Sequence, residues 1–181
     1  MKANLCLVLS VGLLGILSFG CATEPQTQSD REELNQDVQK TMQRLSVEDP
    51  GLPDFLTRAD GYVVFPTVGK GAAGIGGAYG RGLVYENGSF VGYADLSQGT
   101  IGLQLGGQSY TEVIAFKDAA SLQRFEQGKF AFAADASAVA LKSGAAATAK
   151  YTDGVAAFVE PQGGLMLEAA IGGQSFTYQP K

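Results

Sequence analysis

Residues 59–116 read ADGYVVFPTVGKGAAGIGGAYGRGLVYENGSFVGYADLSQGTIGLQLGGQSYTEVIAF, and the alternation in this stretch decides the fold. From Gly74 to Gly82 every second position is small: Gly74, Gly76, Ala78, Gly80 and Gly82, with Ile75, Tyr79 and Arg81 among the residues between them. Successive side chains of a strand point to opposite faces, so one face here is almost bare backbone. Glycine weakens a strand unless another group must come close or the sheet must bend. A bent or closely covered strand is therefore expected. A smooth groove for an extended ligand such as an acyl chain is the other reading open at this point.

Working outward, strand patterns occupy residues 62–68, 74–85, 90–96, 100–105 and 109–116, with Asn87-Gly88 as a hairpin signal between the second and third. Upstream, Ser29-Asp30-Arg31-Glu32 fits a capping box, and Leu34, Val38, Met42 and Leu45 recur at helical spacing, predicting an amphipathic helix over 30–45. Pro50-Gly51-Leu52-Pro53 breaks it, and a short helix over 54–59 follows. Downstream, Asp118 caps a helix whose Leu122 and Phe125 face inward and which ends near Gly128. Small-residue strands are read at 136–141 and 145–150, and further strands at 154–159, 165–170 and 174–178. Gly106-Gly107-Gln108-Ser109-Tyr110 is echoed by Gly172-Gly173-Gln174-Ser175-Phe176, which suggests equivalent turns in a sheet that closes on itself. The expectation is an α+β fold: a strongly curled, barrel-like antiparallel sheet with an N-terminal amphipathic helix and one internal helix.

The order and spacing of several short motifs resemble the SYLF, or Ysc84, domain, and most closely its secreted bacterial lipoproteins. The residues are Gly61-Tyr62-Val63-Val64-Phe65-Pro66, Val68-Gly69-Lys70-Gly71, Gly76-Gly77-Ala78-Tyr79-Gly80, Gly102-Leu103-Gln104-Leu105-Gly106-Gly107-Gln108, Phe116-Lys117, Phe125, Gly163-Gly164-Leu165-Met166 and Gly172-Gly173-Gln174. The resemblance covers residues 34–178. It implies lipid binding, no enzyme activity and no catalytic residues. Actin binding, implied by fungal members, does not transfer to a secreted bacterial chain.

Composition narrows the chemistry further. The 181 residues hold no histidine, and the two cysteines are Cys6 and Cys21. The usual general base near neutral pH and the commonest metal ligand are thus missing. No internal disulfide, zinc cluster or Cys–His pair can form in the part that follows Cys21. Gly69-Lys70-Gly71-Ala72-Ala73-Gly74 matches a dinucleotide fingerprint, but strand sequence follows where that motif needs a helix. Asp95, Glu112, Asp135 and Glu168 are spread over strands and are expected to face solvent, and Glu48-Asp49 lies on a loop, so no paired-carboxylate site is read. No catalytic residue, metal or cofactor is expected. The net charge of −5 also argues against a nucleic-acid partner.

The first twenty residues read as a signal peptide. Met1-Lys2 is a short positive start, residues 5–17 are apolar, and Ser18-Phe19-Gly20-Cys21 resembles a lipobox. Ser18 and Phe19 depart from its usual residues, and ordinary secretory cleavage is the alternative. Cys21 is the candidate lipid anchor, residues 21–29 a tether, and residues 30–181 the domain. Position 22 is Ala rather than Asp, which within this resemblance favours the outer membrane, facing the periplasm; a soluble periplasmic or secreted protein is the alternative. From Cys21 onward 12 cations face 18 carboxylates, a net −6.

In this acidic chain Lys117, Arg124 and Lys129 cluster around the internal helix, with Phe130 and Phe132 just beyond. Lys117 and Arg124, seven apart, are expected on one helix face. These three cations with Phe130 are the candidate lipid contacts, and Lys70 and Arg81 could add charge beside the glycine face of Gly74, Gly76, Gly80 and Gly82. The partners expected are membrane lipid, as anchor and ligand, or an envelope protein. The functional reading is a non-catalytic lipid- or membrane-binding envelope lipoprotein, with a structural or protein-interaction module as the alternative.

Overall fold

The segment Val63-Val64-Phe65 is buried on both sides, and the strand that carries it sits in the middle of the sheet. The computed structural model describes residues 25, 27–73, 75–101, 108–130, 138–162 and 173–181. Its strands are β1 (Gly61–Ala73), β2 (Ile75–Glu86), β3 (Ser89–Ile101), β4 (Gln108–Phe116), β5 (Val139–Ala140), β6 (Val155–Gln162) and β7 (Gln174–Pro180). Its helices are α1 (Gln28–Glu48), α2 (Leu52–Thr57), α3 (Ala119–Glu126) and α4 (Ala145–Thr148). The strands form one sheet in the order β5-β6-β4-β1-β2-β3-β7, antiparallel except at β5–β6.

The α+β class is as expected; the strongly curled, barrel-like sheet is not. A barrel has no edges because its ladder closes. Here β3 takes β7 as its outer neighbour and β6 takes β5, and those two edges do not pair. The two echoed motifs open strands β4 and β7, which are equivalent only in starting at Gln108 and Gln174.

Helices cover both faces. On one, Val38 and Leu45 of α1, Leu52, Phe55 and Leu56 of α2 and Ala146 of α4 pack on Val64, Leu83, Tyr93, Val113 and Phe158. On the other, Leu122 and Phe125 of α3 pack on Val63, Phe65, Ile114, Phe116 and Phe176. This double coverage explains why the central strands lose strict apolar/polar alternation.

Pro66 has no N–H to give to a ladder, and a proline inside a sheet calls for a bulge. Between Val64 and Val68 β1 advances four residues while β2 advances three, from Leu83 to Gly80. The freed Pro66 carbonyl accepts from the Thr111 hydroxyl at 2.9 Å and the Gln162 amide at 2.7 Å. At the β2–β3 turn, Asn87 (φ 47°) and Gly88 (φ 76°) are both left-handed, as a two-residue hairpin requires.

Three local readings change. The α1 cap is Thr27 with Asp30 as its reciprocal partner, two residues earlier than Ser29 and Glu32. Residues 145–148 are helix rather than strand, because alanine is the best helix former and the Asp49 carboxylate takes the N–H groups of Gly144 (3.3 Å) and Ala146 (2.6 Å) at the start of α4. Gly69 to Ala73 continue β1 in register with Tyr79 to Ile75, so the fingerprint-like run is a strand. The strands expected at 100–105, 136–141 and 165–170 lie wholly or partly outside the described residues.

Candidate lipid-facing end and the exposed sheet face

One row crosses the sheet at its lower end: Ser89, Glu86, Gly61, Phe116 and Val155. Lys117 leaves the sheet directly after Phe116 and donates its backbone N–H to the Gly154 carbonyl at 2.9 Å. Arg124 of α3 donates to the neighbouring Asp153 carbonyl at 2.7 Å and to the Ser121 hydroxyl at 3.2 Å. The turn at 153–154 thus brings Lys117 and Arg124 to one exposed corner. They do not share a helix face as expected, because α3 starts at Ala119 and Lys117 precedes its cap. Lys129 follows at the far end of the helix, where its backbone N–H meets the Arg124 carbonyl at 3.0 Å and its ammonium the Gln127 amide at 2.8 Å.

Charge at this corner is mixed. Asp118 caps α3 by accepting from the Ser121 N–H and hydroxyl, both at 2.8 Å. Those hydrogen bonds, with Lys117 and Arg124 nearby, hold its carboxyl below the ordinary aspartate value of 3.8. Phe130 is half-buried and packs on Phe116, Phe125 and Phe176 at ring-centroid distances of 6.2, 6.3 and 5.7 Å. Its ring belongs to the core of this face, not to an outward wedge.

The same end carries a feature that sequence reading missed. A cleft of about 350 Å³ lies between α1, α2 and the β2–β3 turn, lined by Met42, Pro53, Leu56, Thr57, Tyr62, Asn87 and Gly88. It joins the Lys117 corner through two backbone bonds: Asp60 N–H to the Phe116 carbonyl (3.1 Å) and Asn87 N–H to the Asp60 carbonyl (3.0 Å). Tyr62 stacks on Tyr85 at 4.9 Å, and burial, then Tyr62, pushes the Tyr85 phenol up to about 12. The signal for this cleft was the Pro50–Pro53 break, which folds α2 back under α1.

The remaining candidates lie elsewhere. Arg81 is on the opposite face from α3, since Ala78 and Val84 of the same strand join the α3 side. It pairs with Asp95 at 3.2 Å and donates to the Tyr79 hydroxyl at 3.2 Å. Lys70 is in β1, but its side chain is outside what is described, as is all of Gly74; Gly76 pairs with Ala72 and Thr100. Gly80 and Gly82 are closely covered. A Cβ on Gly82 would stand 2.5 Å from the Val64 carbonyl oxygen and 2.8 Å from the Phe65 ring, and one on Gly80 would stand 2.8 Å from Val68 Cγ2. The cover is the bulged β1 itself.

Two carboxylates expected in solvent are buried. Asp95 is held by Arg81, and Glu112 is fully buried on the α3 side, where the Gln174 amide of β7 donates to its carboxylate at 2.9 Å and to the Tyr110 hydroxyl at 3.2 Å. On the other face Arg44 of α1 pairs with Glu160 and donates to Thr111 at 3.1 Å, fastening the helix beside the β1 bulge. Asp135, Glu168 and the anchor Cys21 are outside the described residues. Among the described residues no group of three or more metal-ligating side chains converges, and no helix is long and apolar enough to cross a membrane.

Residues 97–179 match the family model described as Ysc84: Las17-binding protein actin regulator. The chain therefore carries a Ysc84, or SYLF, domain match over its C-terminal half, which fits a binding domain. The matched stretch contains Lys117, Arg124 and Lys129; the Gly61–Gly80 motifs precede it. No curated protein matches the chain.

Proposed function

We propose that this protein is a non-catalytic lipid- or membrane-binding domain, anchored through Cys21 to the periplasmic face of the outer membrane. The observation that supports the reading is the pairing, at one end of the sheet, of a cleft of mixed polar and apolar lining with exposed cations of the family-matched segment. The chain enters the domain near the same end: Arg31 donates to the Pro25 carbonyl at 3.4 Å and lies 6.0 Å from the Tyr93 ring, while Lys181 sits 5.8 Å from the Phe90 ring. Each Lys or Arg near an anionic surface contributes roughly 1 kcal/mol, screened beyond about 8 Å at physiological salt.

Arg124 also holds the 153–154 turn, so the cleaner test leaves it in place. Lys117→Glu/Lys129→Glu should lose flotation with phosphatidylglycerol liposomes at low salt while keeping the wild-type melting temperature. Equal flotation of both proteins, or salt-insensitive flotation of either, would reject the corner. The second reading, a protein-interaction module, has one specific support: the matched family's description names a protein partner. Wild type that ignores liposomes of every charge would move the assignment there.

A further inference from the structure

At the upper end of the sheet, on the face that α1 covers lower down, a platform lies open. Strand register places Gly69, Tyr79, Ser97 and Ser175 in one row across β1, β2, β3 and β7, and Arg81, Asp95 and Thr177 in the next. Gly77 and Gly99 form the row beyond. Tyr79 is 51% exposed. A Cβ on its neighbour Gly69, or on Gly99, would meet nothing within 4 Å. Among the described residues, Gly69 therefore leaves the β1 side of the ring open in this row, and Ser97 stands on the β3 side. Arg81 steadies the phenol at 3.2 Å and is itself held by Asp95 at 3.2 Å. Alternate residues share a face, so all of these point the same way, opposite to Ala78 and Leu96.

We propose that this platform binds a neutral β-1,4-linked glycan strand, the Tyr79 ring stacking on a pyranose face and Arg81, Ser97 and Ser175 exchanging hydrogen bonds with its hydroxyls, while the buried Asp95 holds Arg81 in place. A pyranose ring offers C–H groups on its faces and hydroxyls around its rim. The platform offers the complement: one aromatic face, then donors and acceptors in the same plane. Its charge fits a neutral ligand, because Arg81 and Asp95 cancel and the other members of both rows carry none, in a chain of net −5. An anionic headgroup or nucleic acid would need uncompensated cations. An acyl chain would need more apolar surface than one ring and two rows of hydroxyls. The row spans four strands, about 14 Å at the usual strand spacing, an extended track that suits an extended strand better than a coiled glucan. Tyr79 and Tyr85 lie six positions apart along β2, about 20 Å at strand rise. The platform is thus remote from the lipid-facing end and stands independently of that reading.

The test uses the full chain in detergent micelles, titrated with chitohexaose and cellohexaose, with maltohexaose as the coiled control. Saturable binding to at least one β-1,4 oligosaccharide and none to maltohexaose is expected. Tyr79→Ala should weaken it about fivefold or more, since aromatic stacking is worth on the order of one kcal/mol beyond burial, whereas Tyr79→Phe should stay within about twofold. Tyr79 is half exposed, so melting temperatures of both variants should match wild type. Lys117→Glu/Lys129→Glu should bind glycan normally. The proposal is overturned by absence of saturable binding to both β-1,4 probes, by equal binding of Tyr79→Ala, or by a Tyr79→Ala defect confined to phosphatidylcholine vesicles, which would make the face a lipid surface.

Discussion

A single missing methyl group decides whether β1 and β2 can approach at the bulge. At Gly82 an added Cβ would fall 2.5 Å from a backbone oxygen, which cannot swing aside as a side-chain tip would. Gly82→Ala should therefore lower unfolding free energy by about 1–3 kcal/mol, the usual cost of overpacking. Gly99→Ala is the matched control in the neighbouring strand, with open space at the same test position, and should change stability by no more than about 0.5 kcal/mol. Denaturant melts of the two variants measure the difference; equal, small shifts would show that β1 is free to move off the glycine face. The same contrast separates the two readings of the alternating glycines. Gly80 and Gly82 are covered by chain, whereas Gly69, Gly99 and Gly173 have nothing near them.

Helix α3 shows how one element sets both stability and charge at the candidate lipid-facing corner. Its cap carboxylate, Asp118, has its pKa lowered in the folded state by the Ser121 hydrogen bonds first and by Lys117 and Arg124 after them. A lowered folded-state pKa means the unfolded chain binds the proton more tightly, so the cap stabilises fully above 3.8 and its contribution is lost as pH falls through the lowered value. Asp118→Asn keeps an acceptor for the Ser121 N–H but does not titrate in this range. The melting-temperature gap between wild type and Asp118→Asn should thus narrow as pH drops below 3.8. A constant gap would remove the cap charge from the account. Much of this element was legible: Asp118, Leu122, Phe125 and the Gly128 stop are local signals, as was the Asn87-Gly88 turn. The misreadings are equally physical. The alanine run at 145–148 has no periodicity of its own and became helix because Asp49, about a hundred positions away, caps it. Glu112 was assigned to solvent because alternation on one strand cannot report that β7 supplies Gln174 to its carboxylate. Lys117 and Arg124 were brought together for the wrong reason, since the 153–154 turn joins them and its position depends on β6.

For the molecule as a whole, what matters is how a weak corner can act on a membrane. Two cations share the α3 corner with Asp118 and Asp153, Lys129 lies at the far end of the helix, and the chain carries −5 overall, so electrostatics alone gives little affinity. The proposed attachment at Cys21 would change the problem from bimolecular to local. Five residues lie between Cys21 and the α1 cap at Thr27, so a tether there would reach about 20 Å at full extension. Within that radius the effective concentration of lipid headgroups is high enough for weak contacts to be occupied. The proposed anchor would be stronger, because each buried methylene adds about 0.8 kcal/mol and two acyl chains give stable attachment. The two contributions should therefore separate in cells. Cys21→Ser should move the protein from the membrane to the soluble fraction even with the corner intact. Lys117→Glu/Lys129→Glu should remain in the membrane fraction with Cys21 intact, and show its defect only as faster release of the domain after proteolysis of the tether. Retention of Cys21→Ser on membranes, or an unmodified cysteine at the mature N-terminus by mass spectrometry, would place the attachment elsewhere and leave the tether argument without its anchor.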